Sequence, residues 1–153
     1  MAHLDSLRRV LRRSSDRHNP PAEALLALFE RLGRIAVVGI SRDPAKAARR
    51  VPSYLAAQGF DIYPVNPRAE RILGRPAVPS LGQVAEAVDL VLVFRPSEEA
   101  GSVVREAMAL PGGPAIWLQE GIRADAEAAE ARGAGRVVIQ DLCAYKVHRA
   151  LFT

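Results

Sequence analysis

The sequence predicts a three-layer, doubly wound α/β domain built on a parallel sheet, with a helical N-terminal extension. Two observations carry that expectation. From Arg34 onward, short apolar runs alternate with Ala-, Glu- and Arg-rich stretches of helical character. The apolar runs are also continuous, without alternating polar positions, as in strands buried on both faces. Strand and helix in alternation imply right-handed crossovers. The expected strand order is 3-2-1-4-5, with any ligand at the carboxyl ends of the strands.

Taken in order, residues 1–18 read as an amphipathic helix. Leu4, Leu7, Val10 and Leu11 lie on one side and arginines on the other, and Asn19-Pro20-Pro21 ends it. Residues 22–32 form a second helix closed by Gly33. Strands follow at 35–38, 61–65, 89–94, 114–118 and 136–139. Helices are expected near 45–58, 97–109 and 123–132, with a short one near 80–87. The domain division that follows is a basic helical extension over 1–21 and a single α/β domain over 22–153.

With 153 residues, 49% of them hydrophobic, the chain is long and apolar enough to bury a core, and disorder is excluded. No apolar run approaches the roughly 20 residues of a membrane span, and the N-terminus carries charges where a signal peptide needs apolar residues. A cytoplasmic protein is expected. The single cysteine, Cys143, excludes an intrachain disulfide and a multi-cysteine metal site. The net charge of +4 sits largely at the N-terminus, where five arginines face two aspartates within the first 20 residues. That distribution argues against a nucleic-acid face on the domain and describes a basic arm. The arm is read either as a surface that touches a membrane, nucleic acid or partner subunit, or as a dispensable extension tied down by its apolar residues.

The chemistry gathers at the strand ends. Residues 34–44, Arg-Ile-Ala-Val-Val-Gly-Ile-Ser-Arg-Asp-Pro, run from a buried strand into a helix N-terminus, where backbone N–H groups and the helix dipole favour a phosphate. The spacing is Gly39-x-Ser41-x-x-Pro44, not the three-glycine dinucleotide fingerprint, and Asn66 stands where an acidic residue would hold a ribose. Both departures weaken an NAD reading. Arg49, Arg50 and Arg68 suit a ribose-attached phosphate, which NADP and coenzyme A both carry. Plainer roles stand beside these. Ser41 suits a helix cap, Arg49 and Arg50 a solvated helix face, Asn66-Pro67 a turn, and Trp117 the core. Asp43, Asp89, Glu98, Glu99, Glu120 and Asp141 show no pairing suited to acid–base catalysis, and no metal constellation is evident.

These motifs in their order are similar to the small stand-alone CoA-binding domain proteins of the succinyl-CoA synthetase alpha-subunit type. The resemblance rests on Val-Val-Gly-Ile-Ser-Arg-Asp-Pro (37–44), Arg50-Val51 with Tyr54-Leu55, Gly59-Phe60 and Pro-Val-Asn-Pro (64–67). It continues through Val-Asp-Leu-Val-Leu-Val-Phe-Arg-Pro (88–96), Ile-Trp-Leu-Gln-Glu-Gly-Ile (116–122) and Asp-Leu-Cys (141–143), covering roughly residues 22–152. It implies a Rossmann-like domain that binds coenzyme A or acyl-CoA at the strand rim without catalysis. By position, Gly39 and Ser41 would let the pyrophosphate approach the backbone, and Arg50 would be a phosphate partner. Asn66 and Pro67 would shape the nucleotide end. Phe94, Arg95 and Pro96 would border adenine and ribose, and Gln119 and Gly121 the pantetheine path.

The family usually shows Asp-Arg-Cys-Pro followed shortly by Glu. Here Leu142, Ala144 and Val147 occupy the Arg, Pro and Glu positions. The ligase's phosphohistidine domain has no counterpart, so no acyl-CoA ligase activity is implied. Cys143 is read as a small buried hydrophobe, with a disulfide to the CoA thiol as the alternative. Two other functions remain open: an NAD(P)-linked oxidoreductase, and an interaction module that kept the fold and lost its ligand.

Overall fold

The computed structural model describes residues 3–153. Two helices, α1 (Leu4–Leu11) and α2 (Ala22–Arg31), precede the first strand, β1 (Arg34–Val38). Then follow α3 (Ala47–Ala57), β2 (Asp61–Val65), the short hairpin β3 (Arg71–Ile72) and β4 (Arg75–Pro76), and a 3₁₀ turn at Leu81–Gln83. The chain continues through β5 (Leu90–Val93), α4 (Ser97–Met108), β6 (Ala115–Leu118), α5 (Asp125–Gly133), β7 (Val138–Ile139) and α6 (Ala144–Phe152).

Five strands form one parallel sheet in the order β2-β1-β5-β6-β7. Counted along the main sheet this is 2-1-3-4-5, so the expected order 3-2-1-4-5 is corrected. The reason lies in β2. Pro64 has no N–H to donate on its outer side, and proline is confined to edge strands. The Pro64 carbonyl accepts the Val78 N–H at 3.1 Å and the Val78 carbonyl accepts the Asn66 N–H at 2.9 Å. The segment after the hairpin thus covers the edge where a further strand would have to pair. β5 joins the other side of β1 instead.

Adjacent residues of each strand face opposite layers, as the pleat requires. Ile35, Val37, Leu90, Leu92 and Trp117 pack with α1, α2, α3 and α6. Ala36, Val38, Val91, Val93, Ile116 and Leu118 pack with α4 and α5. Trp117 is fully buried and its indole N–H donates to the Leu142 carbonyl at 2.7 Å, so the core reading of this residue holds.

The N-terminal helix is shorter than the expected 1–18. α1 stops at Leu11, eight residues before the Asn-Pro-Pro sequence, and Met1 and Ala2 lie outside the described residues. Its apolar face is as expected: Leu7 is fully buried in the first core, and Leu4, Val10 and Leu11 pack against it. The helix α6 was not foreseen, although Ala144, Val147, His148 and Leu151 recur at helical spacing and are buried.

Candidate site at the β1–β5 switch point

In the order 2-1-3-4-5 the chain reverses direction across the sheet between β1 and β5, and a doubly wound fold opens its crevice there. A cleft of about 730 Å³ lies at this point. The ends of β1 and β2, the loop at Pro79–Leu81 and the first turns of α4 form its walls.

Gly39 makes the crevice possible by its lack of a side chain. It adopts φ +85°, and a Cβ there would stand 3.0 Å from Arg95 Cδ and 3.2 Å from the Phe94 carbonyl carbon. The two strand ends therefore approach as closely as backbone allows. Beyond it, Pro52 inside α3 has no N–H for the Ala48 carbonyl, and the Ser41 N–H fills that vacancy at 3.1 Å. The Ser41 hydroxyl oxygen accepts the Asp43 N–H at 3.0 Å. Ser41 thus ties the loop to α3; it does not cap the helix, whose first residue is Ala47. Asn66 braces the same loop from β2, donating Nδ2 to the Ile40 carbonyl at 2.8 Å and accepting the Arg68 N–H at 2.7 Å.

With Gly39 N–H bonded to the Val65 carbonyl and Ser41 N–H to Ala48, the donors toward the cleft are chiefly side chains. Lys46, Arg68 and Arg95 line it, with Ser41 and Ser80 hydroxyls. The α4 wall is acidic: Glu98, Glu99 and Glu106 line it, and Glu99 accepts from Arg95 Nη2 at 2.8 Å.

Of the residues singled out from sequence, Gly39, Ser41, Asn66, Pro67 and Arg95 line this cleft together. Phe94 packs against the first core, and Pro96 is the residue before α4. Arg49 and Arg50 are not among the lining residues; the Arg50 guanidinium reaches back from α3 to the Ala45 carbonyl in the preceding loop. Gln119 is 5% exposed, and its Oε1 accepts the Ala144 N–H at 3.1 Å, capping α6. Gly121, at φ +83°, gives its N–H to Asp141 Oδ1 at 2.6 Å. Cys143 is buried at the start of α6. Lys46, Ser80 and Ser102 were missed. Lys46 had a usable signal, since it directly precedes the helix that follows Pro44.

Among the described residues no group of three His, Cys, Asp or Glu side chains stands close enough to hold a metal ion, and no helix is long and apolar enough to cross a membrane.

Fold and cleft together define a doubly wound domain with a crevice at its switch point, cationic on the strand-loop side and acidic along α4. The chain belongs to the CoA binding domain family, whose pattern residues 33–149 match. It is 35% identical over 130 residues to an uncharacterised protein of Bacillus subtilis, YneT, covering 85% of this chain and 96% of that one. A solved structure from Thermus thermophilus superposes with a TM-score of 0.80 at 39% identity, over 85% of this chain and 98% of that one. Over 74 residues, 47% of this chain, it is 34% identical to an ADP-forming acetate–CoA ligase of Archaeoglobus fulgidus, of which that stretch is 11%.

Proposed function

We propose that the protein binds coenzyme A or an acyl-CoA at the switch-point cleft and carries out no chemistry on it. The observation that carries this reading is the clustering of Lys46, Arg68 and Arg95 about the Gly39–Ser41 turn in a chain of the CoA binding domain family. Three cations matched to a braced loop suit a ligand with several phosphates. Coenzyme A carries a diphosphate and a ribose phosphate, and the cleft has cationic groups on both the α3 and β2 sides. Ser41 and Ser80 add hydroxyl donors, and Val38, Val65, Pro79 and Leu81 an apolar floor for a base. Asn66 is engaged at both ends of its amide, so it serves the loop and leaves a ribose diol without the carboxylate that NAD-binding sites use. The non-catalytic part of the reading rests on side chains. The Cys143 thiol is buried, and the serine hydroxyls of the cleft bond the Asp43 N–H, the Gln83 side-chain amide and the Glu99 carbonyl, none of them a histidine or a carboxylate.

A thermal-shift panel of CoA, acetyl-CoA, NAD, NADP and ATP tests this. A ligand that binds only the folded state raises the melting temperature by mass action, by about 2.7 kcal/mol of stabilisation at 100 times its Kd. Stabilisation by the CoA species is expected, and Lys46→Ala and Arg68→Ala should each weaken it. Stabilisation by NADP alone would replace this reading with an oxidoreductase, and no shift with any of them would leave an interaction module.

A further inference from the structure

The chain's own N-terminal segment covers the far end of the strand rim, beyond the switch-point cleft. Ser15 donates its N–H and its hydroxyl to Asp141 Oδ2 at 2.8 and 2.7 Å, and Arg123 reaches the same hydroxyl at 2.9 Å. Asp16 is buried, its carboxylate held by Arg132 at 3.0 Å and by Gln140 Nε2 at 2.9 Å. Asn19 bonds the backbone of Gln140 in both directions, at 2.9 and 2.8 Å. These contacts bind residues 14–19 over the carboxyl end of β7.

The neighbouring β6 end is tied to the same residues. Gly121 N–H goes to the opposite oxygen of Asp141, and Gln119 faces inward to α6. Ser97 at the start of α4 accepts the Arg123 N–H at 3.1 Å, joining α4 to the loop after β6. Among its lining residues the cleft has none from β6, β7 or the loops that follow them. Its wall on that side is Arg95 and the α4 face, where Glu98, Glu99, Ser102 and Glu106 surround one apolar residue, Val103.

We propose that this site reads the nucleotide end of its ligand and is indifferent to the acyl group. The inference rests on the CoA reading above. Ser15, Asp16, Asp141 and Arg123 tie the strap across the β7 end of the rim, and the cleft does not extend beneath it. The wall facing that side offers charges, where an acyl chain would need an apolar groove. The thioester end is left in solvent, and affinity resides in the phosphates and the base. A carrier or sensor built this way reports the whole CoA pool.

The test is calorimetric titration of the wild-type protein with CoA, acetyl-CoA, octanoyl-CoA, adenosine 3′,5′-bisphosphate and pantetheine. If acyl methylenes entered a groove, each would tighten binding by about four-fold. The expected result is that the three CoA species agree within about three-fold and pantetheine gives no heat, while adenosine 3′,5′-bisphosphate displaces CoA. Octanoyl-CoA binding tenfold or more tightly than CoA, or tenfold more weakly, would overturn the inference while leaving CoA binding intact. Silence from every CoA species would overturn the CoA reading and this inference with it. Asp16→Asn adds a second arm. Loosening the strap should leave the CoA to octanoyl-CoA ratio unchanged if the rim is merely filled. A ratio that moves tenfold would show a hidden acyl path beneath it.

Discussion

Replacing Gly39 with alanine tests the geometry on which the cleft depends. Two costs arise at this position. The backbone is left-handed at φ +85°, which for an L-residue costs about 1–2 kcal/mol. The added methyl would also meet Arg95 Cδ at 3.0 Å, the Phe94 carbonyl carbon at 3.2 Å and the Arg95 nitrogen at 3.4 Å. Forcing a methyl into packed surroundings costs typically about 1–3 kcal/mol. The sum is about 2–5 kcal/mol, or roughly 5–15 °C in melting temperature for a domain of this size. Gly121→Ala is the matched control. Its φ is +83°, yet no atom lies within 4 Å of its hypothetical Cβ, so it should lose only the backbone share, about 1–2 kcal/mol. Removing the Arg95 side chain separates the remaining parts. Gly39→Ala/Arg95→Ala should recover part of the loss, and the residue that persists belongs to the Phe94–Arg95 backbone. Urea titrations followed by circular dichroism give all four stabilities. If Gly39→Ala costs no more than Gly121→Ala, the close approach of β1 and β5 is not what fixes this glycine, and the account of the crevice fails.

Other perturbations follow from the same contacts. Burial opposes the charge of Asp16, but the bonds from Gln140, the His18 N–H and Arg132 outweigh it and hold its pKa below the ordinary value. In Asp141 burial is likewise outweighed by Ser15, the Gly121 N–H and Arg123. Their stabilisation is present above the unfolded carboxylate value of about 3.9 and is lost as pH falls through their lower folded values, so acid unfolding should move to higher pH in Asp16→Asn. That variant should also lose about 1–3 kcal/mol at neutral pH by chemical denaturation. His148 is buried against Phe29, Phe60 and Phe152, with Nδ1 2.7 Å from the Tyr54 hydroxyl, and burial lowers its pKa. The unfolded chain therefore takes the proton first, and stability should fall as pH drops below about 6.5, a slope that His148→Phe should flatten. Trp117→Ala removes the largest fully buried side chain and its bond to Leu142, at a cost of about 3–5 kcal/mol in denaturant titrations.

The fold was legible where local pattern carries it. Continuous apolar runs located all five strands of the sheet, and Gly39 at the end of the first marked the crevice. The sheet order was misjudged even though Pro64 sits in the second strand, and a proline there points to an edge. α6 has a helical spacing from Ala144 to Leu151, but it is short and directly follows the Asp141–Cys143 turn, so its period spans only about two turns. At the site, Ser41 and Asn66 do line the cleft, as polar residues at strand ends suggest, but each is also bonded within the loop. Their partners, Ala48 and Ile40, are backbone carbonyls that no residue pattern announces. Gln119 shows the same limit, since a polar residue after a buried strand looks alike whether it meets a ligand or caps a helix. The strap is the least legible feature. Asp16 and Gln140 are far apart in sequence, and a basic N-terminal stretch gives no sign that one of its two acids is the anchor.

The central claim is that a CoA-type ligand occupies the β1–β5 switch point. Amide chemical-shift mapping during a CoA titration addresses it most directly. The account predicts that perturbed amides cluster at Gly39–Ser41, at Asn66–Arg68 and through the first turns of α4, with Ser15, Asp16 and Gln140 unmoved. Perturbations centred on the strap and the β6–β7 loops, with the Gly39 turn silent, would contradict it.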